Sequence, residues 1–274
     1  MRLLTAIRVI ATAAVALAAV GDARAAATFV FFEASLADGA SHALPTPSGT
    51  GLVADLSPDR RSVLYRNGGT LTIARIDGSD AHAIVDVPHQ IDAATWSPNG
   101  RMIAFEIEDT TACAVPRCGR FQIWLVGRNG SGRHEFADNA VAPAWSRDSR
   151  RLAFINDYDT ATSAGKLSVA SIDGTGLRAL TGRDQAVEPR WSSNGRLIAY
   201  TRVVAAGHRD VVRVVPVSRP RLAWTLARGD APVWLGQTGL LVFSRYVRRT
   251  AWLSTWRPSA AAREGSPKHP RFAR

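Results

Sequence analysis

The sequence predicts an all-β chain, a β-propeller of about five to six four-stranded blades. Three observations carry that prediction. A Trp-Ser turn phrase recurs along the chain, each copy is followed by short apolar runs, and nothing beyond the first 25 residues shows the 3.6-residue apolar period of a long helix. The phrase is Trp96-Ser97-Pro98-Asn99-Gly100, closely repeated at Trp145-Ser146-Arg147-Asp148-Ser149 and Trp191-Ser192-Ser193-Asn194-Gly195. Leu56-Ser57-Pro58-Asp59 is a version without the aromatic, and Trp234 to Gly239 is a degenerate one. The anchors at 56, 96, 145, 191 and 234 stand 40, 49, 46 and 43 residues apart. That period is the length of one propeller blade.

Residues 1–25 read as a secretory signal. Arg2 and Arg8 make a positive start, Val9 to Val20 is a short apolar core, and Ala23-Arg24-Ala25 is an A-x-A cleavage site. The core is too short to span a bilayer comfortably. The expected mature protein is exported, periplasmic or extracellular, with the propeller at residues 26–256. Thr28 to Ser35 and Ser41 to Leu44 then read as strands of a half-module, which could close the fifth module or form a sixth blade.

The first anchored module, residues 50–88, has strands at Val63 to Arg66 and Leu71 to Ile76 around an Asn67-Gly68-Gly69 hairpin turn. The second, 89–140, is lengthened by a loop holding Cys113 and Cys118, the only cysteines. In an oxidising compartment that close pair is expected to form a local disulfide. The third, 141–184, carries a polar insertion from Asn156 to Lys166. The fourth runs from 185 to about 229, and the fifth begins at Asp230. Residues 257–274 read as a disordered basic tail, rich in proline and arginine.

The anchors have a mechanical reading. In Ser-Pro-Asn-Gly the proline presets one φ, asparagine tolerates unusual dihedrals and glycine supplies φ > 0. The indoles of Trp96, Trp145, Trp191 and Trp234 are expected to fill the gaps between neighbouring blades.

The phrase Trp-Ser-Pro-Asn-Gly-Arg-Met-Ile-Ala-Phe at 96, with its counterparts at 145 and 191, resembles the PD-type, WD40-like repeat of TolB-like propellers. The resemblance covers most of residues 50–256. It implies a propeller used as a binding platform, in TolB a periplasmic one that docks partner envelope proteins. The chain departs from TolB in having no room for an α/β domain between the signal and the first blade. Prolyl-oligopeptidase-type hydrolases carry similar repeats, but no G-x-S-x-G nucleophile elbow follows the blades here.

Composition narrows function less. The formal net charge is +11, and removal of Arg2, Arg8, Arg24 and Asp22 with the signal leaves +9. The basic residues are almost all arginine, without the single stripe of bases and aromatics that a nucleic-acid binder shows. No nucleic acid is expected as a partner. The six histidines are scattered over different modules without metal-ligand spacing, and Asn156-Asp157-Tyr158-Asp159 lacks the residues a calcium loop requires. Neither a metal nor another cofactor is expected.

Chemistry is expected instead on the loops that lead into the inner strands. His89, Asp92, Asn139, Gln185, Glu188 and Asp230 would form a polar, acidic mouth on a basic protein. No catalytic set is apparent, so the expectation is a monomeric, non-enzymatic platform for an envelope protein or peptide. Two alternatives stay open. One is a hydrolase or lyase acting on a glycan or lactone at the mouth, through carboxylates such as Asp92, Glu188 and Asp230. The other is a basic binder of anionic polymer or lipid.

Overall fold

Short β-branched and aromatic runs separated by Asx-Gly turns leave the backbone little alternative to antiparallel strands. In the computed structural model the described residues are all-β apart from one 3-10 turn. It describes residues 8–14, 29–35, 41–44, 51–111, 119–182, 185–204, 210–235, 239–247 and 250–256. Cys113, Cys118 and the tail at 257–274 lie outside the described residues, so the expected disulfide and the expected disorder do too. The chain divides into two compact units, Met1–Pro88 and His89–Arg274.

The first unit holds two antiparallel sheets. β1 (Arg8–Ala14), β2 (Phe29–Ser35) and β3 (Ser41–Leu44) form one. β2 and β3 match the half-module read from sequence. In the uncut chain, part of the segment read as a signal contributes β1, paired from Arg8↔Ser35 to Ala14↔Phe29. The other sheet is β4 (Leu52–Leu56), β5 (Ser62–Asn67), β6 (Thr70–Arg75) and β7 (His82–Asp86). The Asn67↔Thr70 pair closes the expected two-residue hairpin, with Gly68 at φ 55. Val63, Leu64, Tyr65 and Leu71 are wholly buried in this sheet.

The second unit begins with a four-stranded meander, β8 (Gln90–Trp96), β9 (Met102–Asp109), β10 (Arg120–Gly127) and β11 (His134–Asp138). Next come β12 (Ala140–Trp145), β13 (Arg151–Asp159), β14 (Ala164–Ser171) and the short β15 (Arg178–Ala179). β16 (Ala186–Trp191), β17 (Leu197–Arg202), β18 (Val211–Pro216), β19 (Trp224–Leu235), β20 (Leu240–Val247) and β21 (Thr250–Trp256) complete the chain. The third to fifth modules are hydrogen-bonded into one ten-stranded sheet. Two features join them: a Gly165↔Ala186 bridge between β14 and β16, and the twelve-residue β19. β19 is the outer strand of the fourth module up to Arg228 and the inner strand of the fifth from Gly229. The junction carries Gly229 at φ 149 and left-handed Ala231, and the strand bends there rather than stops.

The turn phrase folds alike in the first four modules. Ser97 Oγ donates to Asn99 Oδ1 (2.8 Å) and accepts the Met102 N–H (2.9 Å), while Asn99 Oδ1 takes the Arg101 N–H (3.0 Å). The same bonds recur at Ser57/Asp59, Ser146/Asp148 and Ser192/Asn194. In these four modules the fourth residue after the anchor is left-handed, at Gly100 and Gly195 but also at Arg60 and Ser149.

Trp96, Trp145 and Trp191 are 4–8% exposed. Trp145 packs with Ala104, Ile123 and Leu125 of the module before it, and Trp191 with Ala153, Ile155 and Leu167 of the module before it. Three indole N–H groups reach the carbonyl just ahead of the preceding anchor: Trp145 to Thr95 (3.2 Å), Trp191 to Ala144 (3.0 Å) and Trp234 to Arg190 (3.1 Å). Trp234 is only half-buried.

Strands that alternate in direction sort their connections to two ends. The first–second and third–fourth connections of a module lie at its Trp-turn end. Backbone bonds from Arg128 to Arg101, Ile172 to Arg150 and Val217 to Arg196 tie them together. The second–third connection and the link to the next module lie at the other, the mouth end.

Candidate functional site

The mouth end is where the repeat stops repeating. In β12, β16 and β19 the residue three before the tryptophan is left-handed: Ala142 at φ 56, Glu188 at φ 53 and Ala231 at φ 49. The ladder register shifts at each of these steps. A bulge of this kind removes an N–H from the ladder, and a buried N–H needs another acceptor. Glu106 Oε2 accepts the Ala142 N–H at 2.8 Å, and Glu188 Oε2 accepts the Ala231 N–H at 3.2 Å. Thr201 Oγ1 donates to the same Glu188 oxygen at 3.3 Å. Glu188 thus helps to hold the next module's bulge and brings its carboxylate beside the Asp230–Ala231 step.

A second group gathers around β8 to β11. Strand alternation puts Glu106 and Glu108 on one face of β9. Burial raises the Glu108 carboxyl above its ordinary value, and the charge of Asp92 pushes it the same way. Glu108 lies against the bare Cα of Gly119, where a Cβ would come within 2.6 Å of its Cγ. Asp92 itself accepts from Gln90 Nε2 at 2.7 Å.

Beside them, Asp109 takes the N–H and Oγ1 of Thr111 at 2.9 and 2.6 Å and pairs with His89 Nδ1 at 3.4 Å. The Thr111 bonds, more than the neighbouring charges of His89 and Arg120, hold the Asp109 carboxyl below its ordinary value. Arg120 grips Asp138 with two bonds of 2.7 Å, which lowers the Asp138 carboxyl and raises the guanidinium.

The six residues read from sequence all fall at the mouth end, in separate local settings. His89 and Asp92 join the β8–β11 group, and Glu188 meets the Asp230–Ala231 step. Asn139 is exposed at φ 45, its carbonyl accepting the Tyr158 N–H. Gln185 is half-buried, and its carbonyl accepts the Val203 N–H. Sequence reading missed Glu106, Glu108, Asp109 and Arg120. Two glutamates alternating with apolar residues in Phe105-Glu106-Ile107-Glu108 were the available signal. Among the described residues, no three His, Cys, Asp or Glu side chains converge as metal ligands would.

No protein-family model matches the chain. Among solved structures, TolB of Acinetobacter baumannii superposes with a TM-score of 0.65 at 12% identity, over 84% of this chain and 57% of that one. The fold is that of a TolB-like β-propeller. Oligogalacturonate lyase of Vibrio parahaemolyticus shares it, with a TM-score of 0.61 at 12% identity over 89% of this chain and 71% of that one. In sequence, dipeptidyl-peptidase 5 of Porphyromonas endodontalis is 26% identical over 118 residues. That match takes in 41% of this chain but only 16% of the relative's length. TolB-like propellers therefore occur in proteins with enzyme names and in proteins without them.

Proposed function

We propose that this chain is an exported, non-enzymatic binding platform of the cell envelope. The anchored modules of its second unit present a mouth that takes a cationic or polar segment of a partner protein. The observation that carries this reading is the mouth end itself: Asp92, Asp109 and Asp138 on connections and strand ends of the second module, with Asp230 where the fifth begins, and two of these carboxyls held below their ordinary range. Ionised carboxylates on a rigid sheet attract a basic segment and fix its register more than they add raw affinity. The test is capture from envelope extract by the immobilised protein, washed across a salt series. A discrete protein retained at high salt, and released when Asp92, Asp109 and Asp230 are changed to Asn, supports the platform. Retention unaffected by those changes contradicts it.

One observation favours a second reading. Glu108 is a partly desolvated carboxyl under the influence of another carboxylate, the pattern that sets apart an acid and a base in many active sites. A hydrolase or lyase acting on a glycan would use Glu108 as acid and Asp92 as base. Turnover of glycan fragments by the wild type, abolished in Glu108→Gln, would establish that reading. Absence of turnover leaves the platform.

A further inference from the structure

The Trp-turn end of the second unit has a composition the mouth does not share. Its connections in the second to fourth modules (97–101, 127–133, 146–151, 172–178, 192–196 and 217–223) hold ten arginines, no lysine and two acids. Both acids are engaged locally: Asp148 accepts from Ser146 Oγ and the Arg150 N–H, and Asp173 from the N–H and Oγ1 of Thr175. The basic connections are contiguous. The Asn99 N–H donates to Ser149 Oγ at 3.0 Å, joining the second module to the third. The Arg178 guanidinium donates to the Val217 carbonyl, joining the third to the fourth.

Two further observations select the occupant. Large apolar side chains are exposed on this same end, Leu177 at 59% and Leu222 at 37%, and each is flanked by arginine: Arg178 beside the first, Arg219 and Arg221 around the second. Between the Trp turns of the third and fourth modules lies an open cleft of about 320 Å³, lined by Arg147, Arg151, Ser146, Ser193, Asn194 and one carboxylate, Asp148, which the Ser146 hydroxyl and the Arg150 N–H already engage. Arg151 is braced there over the Trp191 ring, 4.9 Å from its centroid. A cleft with guanidinium and hydroxyl donors suits a phosphate headgroup. Leucines projecting beside arginines suit the boundary between headgroups and acyl chains, where basic groups stay with the phosphates and apolar side chains enter the lipid.

We propose that the Trp-turn end is a peripheral docking surface for an anionic lipid bilayer, leaving the mouth end for the partner. This inference stands apart from the mouth-end reading and survives its failure.

The experiment is co-sedimentation of the full chain with vesicles of 70% phosphatidylcholine and 30% phosphatidylglycerol, and with vesicles of phosphatidylcholine alone. Binding is expected to the anionic vesicles and to fall with salt. Arg147, Arg150 and Arg196 are exposed, and the inter-turn bonds of Arg150 and Arg196 are made by their carbonyls, so changing all three to Gln should preserve the fold. With each arginine near an anionic surface contributing at a typical level, that triple variant loses roughly 100-fold in partitioning. Leu177→Gln with Leu222→Gln, which leaves charge untouched, also weakens binding. The control is Arg120, Arg202 and Arg228 changed to Gln, which removes equal charge from the mouth-end half and leaves most of the binding. Equal loss in the control, no effect of the leucine pair, or inhibition by soluble polyphosphate at matched phosphate as strong as by vesicles, each overturns lipid docking. The last of these would indicate a linear polyanion as the ligand.

Discussion

The Trp-turn end and the mouth end of the second unit are drawn by the same strands, yet their residues obey different rules. At the Trp-turn end the modules repeat one another bond for bond: serine to Asn or Asp, left-handed fourth residue, indole to the preceding module's carbonyl. At the mouth the modules diverge. Glu106 serves a bulge from β9, Glu188 serves the next one from the bulge itself, and Arg120–Asp138 is an ion pair of the second module. Repetition marks what every module needs in order to pack, and divergence marks where a particular ligand can be selected. The charges divide in the same sense, arginine at one end and a mixed, largely acidic set at the other.

The sharpest way to break this comparison is to remove a repeated part. Trp191→Ala deletes a buried indole, its hydrogen bond and the ring under Arg151, and is expected to cost about 3–5 kcal/mol in thermal or urea unfolding. Trp234→Ala, at a half-buried copy of the same position, should cost clearly less. Equal losses would mean that burial between modules is not what the anchor contributes.

Glu106 comes next in size. Glu106→Ala strands the Ala142 N–H and should cost about 1–3 kcal/mol. Glu106→Gln keeps a carbonyl acceptor and should recover much of that loss in the same urea titration. Ser146→Ala removes a hydroxyl that takes the Arg151 N–H and donates to Asp148, for an expected loss of about 1 kcal/mol. The same substitution at Ser192 should cost a similar amount, because the turns are copies. A large difference between the two would show that the Trp-turn end is less uniform than its hydrogen bonds.

The smallest expected effects are titrations at the mouth. Asp138 should titrate below its ordinary value of 3.8, and Arg120→Ala should return it toward that value, as read by carboxyl NMR. With a depressed folded pKa, the stability Asp138 contributes is present above the ordinary value and is lost as pH falls through the folded one. The loss is small because the pair is exposed. Glu108 has the opposite sign. Its raised folded pKa gives a contribution present below its ordinary value of 4.5 and lost as pH rises through the folded value. Asp92→Asn should lower the Glu108 pKa only part of the way, since burial is the larger cause.

The repeat made much of this molecule readable in advance. A Trp-Ser phrase with a turn residue at fixed offset is local information, so the anchors, the strands after them and the left-handed Gly100 and Gly195 followed from residue types, while left-handed Arg60 and Ser149 did not. The joining of the third to fifth modules did not. Gly229-Asp230 reads locally as a turn, yet β19 runs through it, at a point where the period also suggested a boundary. The mouth was legible as a set of loops and not as a set of contacts. Glu106 finds Ala142 across 36 residues, and Arg120 finds Asp138 across 18. Searching the loops passed over Glu106 and Glu108 because they sit inside a strand, where alternation rather than turn chemistry decides which way a side chain faces.

The division of labour between the two ends is tested most directly by site-specific photo-crosslinking in envelope membranes. One probe replaces Ala161, exposed on the mouth-end hairpin of the third module, and one replaces Arg147, exposed on its Trp turn. A discrete protein adduct from position 161, with lipid but not that protein captured from position 147, is the expected result. The same adduct from both positions, or none from 161, would contradict a mouth that selects the partner.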